Sequence, residues 1–364
     1  MKKSVFVLSF ATLLFASCSS DDNSGGNNIT APISEAVVSP TVGGPNQPNQ
    51  VYIDLSSSSE TVTKRDSWDL GFATGSDFRV IINGSIKMAV KELETNNIDE
   101  VQVEDASVAV GFSTDASSGY VDNPTGILTG NGGGEGTAIA EISATENNNK
   151  VYLVNLGFEV ATTPPAGGVA LDGEARGWKK IRITKNGNNY VLQYADLDAT
   201  THNTVTISKD ANYNFTFFSF TTNSIVNVEP QKGKWDLNFS GFTNYYPFAG
   251  GAITYYFADF ITTNIHGGTK TYMVLTTEEE RDNQFDSFTI DKVEEGEFQA
   301  SASDQRIFGD TWRTSGGPSG GPTIRNDRFY VVKDVDGNVF KLRFLALTNE
   351  EGVRGYPVFE YELL

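Results

Sequence analysis

The chain has a single cysteine, Cys18, so no disulfide can form within it. It has only two histidines, His202 and His266, in 364 residues. Two isolated imidazoles do not make a nucleophile triad, and no His-Glu-x-x-His zinc helix exists. Positive charge is also scarce, with 27 Lys and Arg against 46 Asp and Glu and a net charge of −19. Such a surface repels phosphate backbones and anionic lipid, which excludes nucleic acid as a partner. The glycine run Gly130 to Gly136 lacks the Lys-Ser/Thr of a phosphate loop and reads as a connection. A pair of carboxylates is always available in an acidic chain, but no motif singles one out. The expectation is therefore a binding protein and not an enzyme.

The apolar run Val5 to Phe15, after Lys2 and Lys3, is too short to span a bilayer. It reads as a signal peptide, residues 1–17. Leu14-Phe15-Ala16-Ser17 before Cys18 resembles a lipobox, which makes Cys18 the expected acylated amino terminus. Ser19-Ser20-Asp21-Asp22 is similar to the acidic signal that sends lipoproteins of the Bacteroidetes to the outer face of the outer membrane. Residues 18–50 are rich in Ser, Asn, Gly and Pro, and that composition predicts a flexible tether.

Beyond the tether the text repeats. Trp68-Asp69-Leu70-Gly71-Phe72 returns as Trp235-Asp236-Leu237-Asn238-Phe239. The segment from Ile181 through Asn186-Gly187 to Tyr194 returns as Val331 through Asp336-Gly337 to Phe344. Tryptophans 167 apart and turn glycines 150 apart mean that the first copy carries an insertion, which the sequence places at Gly130 to Gly136. A period this long indicates two whole domains, 51–208 and 209–364, and not a solenoid. Tyr190-Leu192-Tyr194 and Phe340-Leu342-Phe344 alternate with Val191, Gln193, Lys341 and Arg343, the period of a strand with one buried face. Asn186-Gly187 and Asp336-Gly337 are hairpin dipeptides. The fold class expected is all-β and antiparallel. One short helix is expected from Thr277, capped by Glu280, through Gln284, with a helical turn at Lys91 to Thr95.

Phe217-Phe218-Ser219-Phe220, Val226-Asn227-Val228, Trp235-Asp236-Leu237, Asp259 to Asn264 and Asp334 to Asn338 stand in an order that resembles the HmuY-like heme-binding lipoproteins of Bacteroidetes. Gly355-Tyr356-Pro357 through Leu363 is similar to that family's last strand, and residues 51–200 share the pattern more thinly. The resemblance implies two tandem HmuY-like domains, lipid-anchored at the outer membrane, that hold heme through paired His or Met. It also implies service as a hemophore to a TonB-dependent outer-membrane receptor. The family's ligand positions hold neither residue here: one falls at Ser315-Gly316-Gly317-Pro318, the other within 284–302.

Axial candidates must then come from this chain's own residues. His266, in the loop Asn264-Ile265-His266-Gly267-Gly268, is the first, and His202 the second. Met88 and Met273 read as core. Trp68, Leu70 and Phe72 share one strand face and also read as core, with Asp69 and Asp236 accepting bonds from turn amides on the other side. Asp334, Asp336 and Asn338 resemble the start of a calcium loop without its twelfth-position Glu, so a plain hairpin accounts for them. An alternative function is glycan binding or adhesion, motivated by Tyr245-Tyr246-Pro247-Phe248, Tyr255-Tyr256-Phe257 and Trp312.

Overall fold

In a computed structural model, residues 31–111, 120–130, 135–163, 165, 172–248, 251–316 and 321–364 are described. The signal peptide and Cys18 lie outside these residues, as do parts of the 130–136 run. Every strand pair among the described residues is antiparallel. Two five-stranded sheets carry the hairpins read from the sequence. One runs Asn203–Ile207, Asn189–Asp196, Trp178–Asn186, Val151–Asn155, Ala89–Glu92, and the other Glu35–Val38, Arg354–Leu363, Val339–Thr348, Arg328–Lys333, Lys270–Leu275. Each hairpin turn needs a left-handed residue, supplied by Gly187 at φ 60° and Gly337 at φ 92°. Asp334 braces the second turn by accepting the Asn338 N–H at 2.8 Å. Lys333 pairs with Val339 across this turn, which makes it a hairpin.

Two further sheets have four strands, and each mixes the two copies. In the first, Phe215–Ser219 of the second copy lies between Leu70–Ala73 of the first and Ser224–Val226. In the other, Asn49–Asp54 of the first copy lies between Leu237–Phe248 of the second and Ser59–Lys64. The registers are equivalent: Phe217 opposes Gly71, and Tyr52 opposes Asn238. The strand preceding each Trp-Asp-Leu motif thus pairs with the motif of the other copy. The cores follow the exchange. Phe218 and Phe220 are buried with Leu70, Phe72 and Tyr190, whereas Val51, Ile53 and Leu55 are buried with Leu237, Phe340 and Tyr361. Residues Pro32–Leu364 form one compact unit.

The aspartates of the two motifs hold this exchange in place. The Asp69 carboxylate accepts the Phe220 N–H at 2.6 Å, and that of Asp236 accepts the Leu55 N–H at 2.9 Å. Both acids reach across to the exchanged strand's last residues, a stronger role than bracing a local turn.

Three expectations are corrected. The segment 35–50, expected within the flexible tether, is folded: Glu35–Val38 covers the edge of Arg354–Leu363, and Val42 is buried. An open edge strand invites pairing, and four residues suffice to close it. Lys91 to Thr95 form no helical turn, because Ala89–Glu92 extends beside Val151–Asn155. The helix expected from Thr277 begins at Arg281, as Arg281–Asp286, because the Thr277 carbonyl takes the Glu280 and Arg281 amides in an opening turn. A second short helix, Glu295–Ser301, buries Phe298.

Candidate functional site

The exchange seam leaves a cleft between the two motifs. Its cavity volume is about 160 Å³. Trp68, read from periodicity as core, is buried with Tyr52 and Phe217 and also lines the cleft, as does Trp235. Each is edge-on to the exchanged strand's aromatic residue: Trp68 to Phe217 at 4.8 Å and Trp235 to Tyr52 at 4.9 Å. Edge-to-face pairing fixes the rings.

The two halves of the cleft are built alike and differ at a few positions. Asn83 donates to the Arg65 and Trp68 carbonyls, both at 2.8 Å. Asn264 donates to the Lys232 and Trp235 carbonyls at 2.7 and 2.8 Å. Two residues beyond Asn83, the Ser85 hydroxyl turns back to the Arg65 carbonyl at 3.0 Å. Two residues beyond Asn264 stands His266, which lines the cleft. Likewise Gly71, where a Cβ would lie 2.7 Å from Ile81, is answered by Asn238, whose side chain enters the cleft.

His266 stands edge-on to Phe215, with ring centroids 5.5 Å apart at 89°. It has accessible surface because it faces the cleft, yet surrounding protein desolvates it and lowers its pKa, while a bond to the Gly126 carbonyl acts in the opposite sense. The shift favours the neutral imidazole, the form that offers a nitrogen lone pair. His202 is elsewhere: its Nδ1 faces Asp99 at 2.9 Å and its Nε2 the Gln193 amide at 3.0 Å. The structure does not bring the two histidines together. Met88 is fully buried in the first core at the edge of the cleft, and the sulfur of Met273 accepts from Arg328 at 3.4 Å.

Two carboxyl groups that no motif announces also line the cleft. Burial pushes Asp122 up to about 7, against the opposing pull of the Ala138 and Ile82 amides. Burial pushes Glu229 up to about 8, although it accepts the Asn214 and Phe215 amides at 2.8 and 2.9 Å. The folded state thus holds the Glu229 proton more tightly than the unfolded chain, so stability falls as pH rises from about 4.5 to about 8. Glu229→Gln keeps the acceptor and removes the titration. It is expected to match the parent at pH 5 and to exceed it by about 1–3 kcal/mol above pH 8 in urea unfolding. Parallel pH profiles for the two proteins would contradict this assignment.

No lysine or arginine lines the cleft among the described residues. Trp235 Nε1, Asn238 Oδ1 and Ser240 Oγ are buried there without a protein partner. The sequence offered one clue to these groups, the replacement of Gly71 by Asn238 within an otherwise matching motif.

The family model described as HmuY protein matches residues 46–204 and again 211–361. No curated protein matches the chain. Among solved structures, the apo HmuY analog of Tannerella forsythia is similar at 15% identity over 48% of this chain and 88% of that one, with a TM-score of 0.17. Apo PinO from Porphyromonas gingivitis is similar at 14% identity over 50% and 94%, with a TM-score of 0.15. A lipoprotein candidate of Bacteroides fragilis NCTC 9343 is similar at 11% identity over 91% and 95%, with a TM-score of 0.21. Matched twice over most of its length, this chain belongs to the HmuY family.

Proposed function

We propose that the protein captures heme or a related porphyrin in the seam cleft, with His266 as the axial donor, for iron acquisition at the cell surface. The observation that carries this reading is an imidazole lining an aromatic cleft, with its pKa lowered by desolvation. Haem iron takes a neutral nitrogen donor, and an apolar slot excludes competing water. The cavity, about 160 Å³, is too small to enclose a tetrapyrrole, so the macrocycle lies across its mouth. With Asp122 and Glu229 inside and no cation beside them, its carboxylate edge faces solvent.

Titration with hemin tests the reading. The parent is expected to give a saturable Soret shift, His266→Ala to lose it or move it, and His202→Ala to leave it unchanged. No shift at micromolar protein would remove porphyrin capture from consideration.

Surface attachment is proposed through acylation of Cys18, with delivery to an outer-membrane receptor. Among the described residues no helix is long and apolar enough to cross a membrane. Cys18→Ala is expected to move the protein from the membrane fraction to the soluble one; retention would require another anchor.

A further inference from the structure

One strand pair carries the lining of the cleft outward. Leu237–Phe248 and Gly251–Thr263 pair with each other as far as Phe248 and Gly251, but Asn49–Asp54 joins them only at Leu237 to Phe239. Beyond that point the two strands form a finger whose faces follow from the register. Phe242 opposes Phe257, Asn244 opposes Tyr255 and Tyr246 opposes Ile253, so these six side chains share one face. The other face packs on the first copy. There the Thr243 hydroxyl donates to the Gly84 carbonyl at 2.7 Å, and that of Thr254 accepts the Gly111 N–H at 2.8 Å.

The rings on the first face run from the cleft into solvent. Phe242 and Phe260, stacked at 4.5 Å, both line the cleft. Phe260 lies 6.0 Å from Phe257, which lies 5.3 Å from Tyr255 and 6.3 Å from Tyr246. The two tyrosines are 5.9 Å apart, and they are 51% and 50% exposed. None of the six residues is charged, in a chain with 27 Lys and Arg and 46 Asp and Glu. An uncharged aromatic strip, joined to a binding cleft at one end and open to water at the other, suits an apolar ligand too large for that cleft.

We infer that the strip is an outer subsite for a planar tetrapyrrole, where Tyr246, Tyr255 and Phe257 contact the part of the macrocycle that the cavity of about 160 Å³ does not enclose. The inference rests on the porphyrin reading and adds to it a contact that needs no iron. Ring contacts act on any porphyrin. Coordination by His266 acts on the metal alone.

Titrations with hemin and with metal-free protoporphyrin IX separate the two contributions. Tyr246→Ser with Tyr255→Ser is expected to weaken both ligands about tenfold or more, while the hemin Soret band keeps the parent's position. His266→Ala is expected to move or abolish that band and to leave the affinity for protoporphyrin IX unchanged. Tyr246→Phe with Tyr255→Phe keeps the rings and is expected to bind like the parent. Should the Ser pair melt below the parent, Tyr255→Ser alone carries the test, with a smaller loss expected. If the Ser variants bind both porphyrins as tightly as the parent, the inference is overturned, and the porphyrin reading stands on its His266-dependent Soret band. A loss confined to the tyrosine variants, with His266→Ala like the parent, supports the strip and removes His266 as the axial donor. If the parent binds neither porphyrin, the porphyrin reading falls and the inference falls with it.

Discussion

Expressed as separate chains, residues 1–208 and 209–364 are each expected to lack a cooperative unfolding transition, and co-expression is expected to restore it. The reason is the exchange. The first piece loses Phe215–Ser219 from beside Leu70–Ala73, and the second loses Asn49–Asp54 from beside Leu237–Phe248. Each loss exposes strand edges and strips a core. Val42, Val51, Ile53 and Leu55 are all buried among second-copy residues. Burying four such side chains is worth roughly 6–12 kcal/mol. That equals most of a typical domain's stability of about 5–15 kcal/mol. A 209–364 fragment with a sharp melt and native near-ultraviolet dichroism would show that the exchange is dispensable.

Asp69→Ala is expected to cost about 3–5 kcal/mol in denaturant unfolding, well above the cost of Asp236→Asn. The two residues are equivalent in the repeat but differ in their surroundings. Asp69 is fully buried and takes Arg176 Nη1 at 2.7 Å as well as the Phe220 amide. Removing it leaves a buried guanidinium without its counter-charge. Asp236 has no cation partner among the described residues; Thr269 donates to it at 2.9 Å, and burial pushes it up to about 7. An amide at that position keeps the Leu55 bond through its one oxygen and can donate its NH2 to the Thr269 hydroxyl, without the cost of a buried charge, so about 1 kcal/mol is the expected loss. Adding Arg176→Met to Asp69→Ala should recover part of the larger loss, since the orphaned charge goes with it. Equal costs for Asp69→Ala and Asp236→Asn would contradict the assignment.

The strands were legible because one-sided burial imposes a period of two, visible in Tyr190-Leu192-Tyr194, and because positive φ at Gly187 and Gly337 restricts which residue can turn the chain. The exchange was not legible. Equivalent strands carry equivalent patterns, so Phe217 beside Gly71 and Phe217 beside Asn238 satisfy local sequence equally well. Lys91 to Glu94 has helical composition, but sheet pairing with Leu153 and Tyr152 overrides propensity. Glu295–Ser301 was hidden by Gly296 in its first turn, and Phe298 packing against Tyr272 at 4.8 Å supplies what propensity lacks. At the site, His266 stood out because imidazole is rare in this chain. Trp68 was assigned to the core and is buried there, but periodicity identifies a face without saying whether a cavity lies beside it. Asp122 and Glu229 belong to no motif, and only burial beside the cleft distinguishes them from the chain's many other acids.

The most direct test of the account is a crystal structure grown with hemin. The account predicts the porphyrin across the mouth of the seam cleft, between Trp68 and Trp235, with its iron on the nitrogen of His266 that Gly126 does not hold. Porphyrin seated elsewhere, or iron coordinated by a residue outside the cleft, would contradict it.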